Sequence, residues 1–203
     1  MRMRNLSLIG AVVAVTVTLA ACGGSSTSES TATVQSSSTA DSAVGAGDVN
    51  DIAFAQLMIP HHQQAVQMAD IALAHGVTGE VKTLAEQIKG AQDPEIEQMT
   101  AWLAAWGAPI EMASSGGHDG MDMGGMSVEG MMSDSDMMAL DQAQGTDFDT
   151  MWLTMMIQHH EGAITMAQQV LATTSNAEVR QLADAVVSGQ TAEIDTMKGL
   201  LGQ

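Results

Sequence analysis

Cysteine occurs once, at position 22. An internal disulfide, a thiolate zinc site and a cysteine nucleophile are thereby excluded from the body of the protein. Soft-metal chemistry has to use methionine or histidine instead. Basic residues are almost as scarce, with six Lys and Arg against 24 Asp and Glu and a net charge of −18. Nucleic acid is excluded as a partner by that balance, because neutralising phosphates requires Lys and Arg. The acids keep the surface solvated and draw cations towards it. Motifs of common catalysis are also missing: no histidine has a glutamate three residues before it, and there is no His-Glu-x-x-His, Gly-x-Ser-x-Gly or phosphate loop. His160-Glu161 is an isolated acid–imidazole neighbour, since Gln63 follows His62. The expectation is a protein that is not an enzyme.

What is present begins with an address. Arg2 and Arg4 precede an apolar run from Leu6 to Ala20, the layout of an export signal. The run is short for a membrane span. It ends in Leu19-Ala20-Ala21-Cys22, which resembles the bacterial lipobox, so residues 1–21 read as a lipoprotein signal peptide and Cys22 as the acylated first residue of the exported chain. Cleavage without acylation would instead leave a lone thiol outside the cell, open to oxidation. Loss of two arginines and no acid would take the charge from −18 to −20. Residues 22–47 are rich in Ser, Thr, Gly and Ala without apolar periodicity, and read as a flexible tether from the lipid anchor on the extracytoplasmic face of the membrane.

Residues 48–203 contain one pattern twice. Met58-Ile59-Pro60-His61-His62 returns as Met156-Ile157-Gln158-His159-His160, an offset of 159 − 61 = 98. At the same offset Glu80-Val81-Lys82 matches Glu178-Val179-Arg180, Leu84-Ala85-Glu86 matches Leu182-Ala183-Asp184, and Glu95-Ile96-Glu97-Gln98-Met99 matches Glu193-Ile194-Asp195-Thr196-Met197. Each copy divides at a short connection, His75 to Gly79 and Thr173 to Asn176, where Gly76 suits a helix end and Thr78, Ser175 or Asn176 suit an N-cap. Two helical hairpins follow, 48–107 and 146–203, joined by a Met- and Gly-rich loop at 108–145. Four amphipathic helices with short turns bury their stripes only against one another, which predicts an all-α four-helix bundle with a pseudo-twofold axis. Pro60 and Pro94 are expected to kink helices that continue through them, because their repeat partners are Gln158 and Ala192. Trp102, Trp106 and Gly107-Ala108-Pro109 should end the first hairpin. Ser133 with Asp136 predicts a short helix from Ser133 to Leu140, and Asp147 or Thr146 is the expected cap of the helix after it.

Two sets of residues could hold a metal. Phe54, His61 and Met68 share one helical face, as do Trp152, His159 and Met166, which puts His61 and His159 on the buried seam with Met58 and Met156 one turn before them. His62 and His160 fall further round, at the seam's edge. Methionine and histidine on such a seam also serve as ordinary core, and four of six histidines in two matching contexts set a metal at His61 and His159 level with that reading, ahead of His62 and His160. His75 has no counterpart. The second set is in the loop, where His118, Met121, Met123 and Met126 lie among glycines and Met112, Met131, Met132, Met137 and Met138 crowd nearby. Thioethers in such a segment are not explained by packing. They select Cu(I), and Met-x-Met-x-x-Met beside a histidine is a copper signal. An oxidant sink or an adaptable surface for an unidentified protein partner are the competing readings.

Met58-Ile59-Pro60-His61-His62-Gln63-Gln64-Ala65 and the segment Phe148-Asp149 through Ala163 resemble the bacterial domain-of-unknown-function 305 family over residue 48 to the C-terminus. Gly130-Met131-Met132-Ser133 is similar to the family's pattern as well. That resemblance implies a ferritin-like fold, export, and the copper binding and tolerance associated with some members. The combined expectation is a membrane-tethered protein that binds or sequesters copper, with a metal-free helical interaction module as the alternative.

Overall fold

The computed structural model describes residues 47–75, 77, 79–111 and 129–202. These form five helices, α1 (Val49–Ala74), α2 (Gly79–Trp106), α3 (Asp134–Gln142), α4 (Gly145–Leu171) and α5 (Ala177–Leu200). Helices α1–α2 and α4–α5 are the two hairpins, and they meet chiefly through α1 and α4. None of the described helices is long and apolar enough to cross a membrane. The signal segment, Cys22 and the tether to residue 46 lie outside the described residues, as do Gly76, Thr78, Met112, His118, Met121, Met123 and Met126.

Local chemistry explains the helix boundaries. Asp48 caps α1, its Oδ1 accepting from the amides of Asn50 at 2.8 Å and Asp51 at 3.0 Å, while Asp51 accepts from the Asp48 amide in return. α2 ends in a Schellman turn. Gly107 takes a positive φ of 68°, and the Ala108 amide reaches back to the Leu103 carbonyl at 2.9 Å. Ser133 and Asp136 form the expected capping box, although α3 runs two residues beyond Leu140. Asn176 caps α5 by accepting from Glu178 and Val179. The expected cap of α4 is corrected: neither Thr146 nor Asp147 caps it, because Gly145 turns the chain at a φ of 59° and helical bonding already starts from the Gln144 carbonyl. Asp147 instead sits in the first turn, where its charge favours the helix dipole. α1 and α2 run unbroken through Pro60 and Pro94. Both prolines are exposed, so water can satisfy the carbonyls that each leaves without a helical donor.

The core is two apolar clusters. One joins Ala65, Met68, Leu84 and Ile88 to Phe148, Trp152, Met156 and Met197. The other joins Phe54, Met58, Met99 and Trp102 to Ala163, Met166, Leu182 and Val186. All of these residues except Phe148 and Trp102 have their repeat partner in the opposite cluster, as Met68 has Met166 and Trp152 has Phe54, so the pseudo-twofold axis runs between the clusters and exchanges them. The Trp152 indole donates to the Met68 carbonyl at 2.9 Å and ties the hairpins together. Met132, Met137 and Leu140 join the first cluster, which corrects the reading of all the loop methionines as unpacked. Met138 alone of the described ones is fully on the surface, at 58% exposed.

Candidate metal centre

Between the clusters lies a polar layer. His61 on α1 and His159 on α4 are repeat partners, so the pseudo-twofold brings them face to face, with ring centroids 3.7 Å apart and planes tilted by 41°. Neither has any exposed surface. His62 and His160 are also completely buried, which corrects their expected place at the edge of the seam. The physical reason is the hairpin mate: the step round α1 that takes His62 off the α4 seam turns it under α2, and His160 is turned under α5 in the same way. There each meets a carboxylate, His62 Nε2 with Glu95 Oε2 at 2.7 Å and His160 Nε2 with Glu193 Oε2 at 2.7 Å. Neither glutamate was picked out as a site residue from the sequence. Their equivalence at the 98-residue offset was visible there, but only antiparallel packing shows which imidazole each one faces.

The segment following the loop closes the layer on one side. The Glu129 carbonyl lies 3.3 Å from His61 Nε2 and accepts its proton. A side chain on Gly162 would overlap that carbonyl, so the close approach requires glycine at this point of α4. Gln64, the repeat partner of Gly162, clamps the same segment: its amide donates to the Met132 carbonyl at 2.8 Å and accepts from the Met132 amide at 2.7 Å. The loop therefore re-enters the fold beside His61.

This arrangement leaves imidazole nitrogen atoms free. Nδ1 of His61, His62, His159 and His160 is buried without a hydrogen-bond partner, and so is Nε2 of His159. Burial, with lesser repulsion from His62 and His160, lowers the pKa of His61 to about 3 against the opposing pull of the Glu129 carbonyl. His159 is also held well below its ordinary range, by burial first and then by the neighbouring imidazoles. Both rings are therefore neutral near pH 7, with lone pairs available. In the neutral form, a His62 or His160 that donates Nε2–H to its glutamate presents Nδ1 as a donor to a metal, the carboxylate–histidine relay that orients metal ligands.

Met58 and Met156 are fully buried one turn before His61 and His159, each at the inner border of a different cluster. Among the described residues, no three His, Cys, Asp or Glu side chains are grouped to hold an ion. A metal here would have to draw on thioether or amide donors in addition to imidazole. His75 takes another role, stacking on Phe148 at 4.6 Å and lying 3.3 Å from Asp141 of α3.

Comparison with curated proteins gives no match. A secreted-class DUF305 protein of Streptomyces coelicolor is 31% identical, covers 75% of this chain and 92% of its own, and superposes with a TM-score of 0.68. A DUF305 fragment from Deinococcus radiodurans is 30% identical over 76% and 97% of the two chains, with a TM-score of 0.66. CopM in its Cu(II)-bound form is 35% identical over 74% and 94%, with a TM-score of 0.61, and its structures include Cu(I)- and Ag-bound forms. The family model described as domain of unknown function DUF305 matches residues 51–201. The chain belongs to the DUF305 family.

Proposed function

We propose that this protein is an extracytoplasmic, membrane-anchored copper-binding protein that sequesters Cu(I) without catalysing a reaction. The observation that carries this reading is the layer of four buried histidines whose Nδ1 atoms are all unpartnered. A packed core gains nothing from such groups, since each unsatisfied polar atom costs about 1–3 kcal/mol, whereas soft and borderline ions accept imidazole and thioether readily. His61 and His159, with Met58 and Met156, supply the central soft donors, and His62 and His160 are held in place by their glutamates. His118, Met121, Met123 and Met126 supply a capture set in the loop that re-enters beside His61. The copper- and silver-bound structures of CopM support the same chemistry for this chain. The lipobox-like Leu19-Ala20-Ala21-Cys22 after an apolar run supports export and anchoring through Cys22, and the secreted class of the Streptomyces relative supports a place outside the cytoplasm.

The test is an anaerobic Cu(I) titration of the full-length protein against a competing chelator. It compares wild type with the His61→Ala, His159→Ala pair and with a Met121, Met123, Met126→Ala set. Weaker binding in the histidine pair is expected, with a separate loss in the loop set. Unchanged affinity in both would end the assignment of those sites. No binding tighter than that of free methionine would replace the reading with a metal-free interaction module.

A further inference from the structure

The polar layer holds more unsatisfied capacity than its imidazoles account for. Gln92 on α2 and Gln190 on α5 are repeat partners and are only 2% and 5% exposed. Both sit on the core seam. Gln92 follows Ile88 of one cluster by a turn and precedes Met99 of the other by two, and Gln190 stands between Val186 and Ile194, again from opposite clusters. They thus occupy the level at which the clusters meet, where the histidines also lie. Each is one turn before the glutamate that holds a layer histidine, Glu95 or Glu193. Neither amide atom of Gln92 has a partner, and neither does Oε1 of Gln190. Leucine or methionine would fill the same seam with no unpaired group, so packing gives no account of glutamine at either position.

A neutral amide oxygen is a hard donor. It adds little for Cu(I) or Ag(I), which take thioether and imidazole, but suits a divalent ion that imidazole also accepts. We infer that Gln92 and Gln190 supply oxygen donors, directly or through one water, which with the free imidazole nitrogens make the layer a site for a divalent cation of the Cu(II) type. The layer then accepts either a soft monovalent ion through methionine and histidine or a divalent one through histidine and glutamine. Glu95 and Glu193 place negative charge beside this second donor set. The inference rests on the metal-binding reading above and adds to it the residues that favour divalent over monovalent ions.

The decisive measurement is Cu(II) affinity and Ag(I) affinity, each by competition titration, for the full-length wild type, the Gln92→Leu, Gln190→Leu pair and the Gln92→Glu, Gln190→Glu pair. Helix content is monitored throughout. The leucine pair is expected to weaken Cu(II) by about tenfold or more while leaving Ag(I) within about twofold. The glutamate pair should strengthen Cu(II) and not Ag(I). Equal losses for both ions in a folded leucine pair would overturn the inference, and so would no change for either. Should the leucine pair unfold, the glutamate pair decides, and unchanged Cu(II) affinity there refutes the assignment. Wild type that binds Ag(I) but not Cu(II) refutes this inference alone, whereas wild type that binds neither refutes the metal-binding reading itself.

Discussion

Acid should unfold this protein earlier than its carboxylates alone would dictate, and His61 sets the scale. The folded protein keeps His61 neutral down to about pH 3, while in the unfolded chain it protonates near its ordinary 6.5. Between those values the unfolded state binds more protons, so the contribution to stability is complete above pH 6.5 and drains away as pH falls towards 3. At pH 5 the loss from His61 works out at about 2 kcal/mol, a large fraction of the 5–15 kcal/mol typical of a domain. His159 is shifted in the same direction and adds to it. The assay is urea unfolding followed by helical circular dichroism at pH 7 and pH 5, on wild type and on a His61→Phe, His159→Phe pair that retains ring volume. Wild type should lose at least about 2 kcal/mol between the two pH values, and the double variant markedly less. Equal losses in the two proteins would refute the argument that these imidazoles are held neutral by burial.

Two further perturbations probe the supports of the layer. Gly162→Ala places a methyl group where the Glu129 carbonyl sits, so it should destabilise the fold by about 1–3 kcal/mol and release the His61 hydrogen bond, which holds the His61 pKa up against burial. Its loss should be visible by NMR titration as a further fall in that pKa, and an unperturbed His61 signal would show that the approach is not tight. Replacing Glu95 and Glu193 together by Gln removes the charge that orients His62 and His160, and Cu(I) affinity should fall by about 10–100-fold in a chelator competition. Unchanged affinity would separate those pairs from metal binding.

The repeat at 98 residues, the two hairpins, the helix ends at Asn176 and Gly107, and the burial of His61 and His159 were all legible in the sequence. Each follows from periodicity or from local backbone chemistry, which a linear pattern records directly. The start of α4 was not legible, because a glycine with positive φ moved it ahead of the better capping residues. Met132 and Met137 were misread for a related reason: composition marks a segment as loop-like, but the Gln64 clamp and the space left by Gly162 pull its end into the core.

The sequence by itself determined that the protein is a duplicated helical hairpin with paired histidines on a buried face, because helical phase depends only on spacing along one chain. The tertiary structure decided what those histidines meet. Antiparallel packing about a pseudo-twofold set His61 against His159, put His62 and His160 on Glu95 and Glu193, and raised Gln92 and Gln190 to the same level. Those relations join residues some 30 to 100 positions apart. They depend on how helices pack, which no single stretch of sequence encodes.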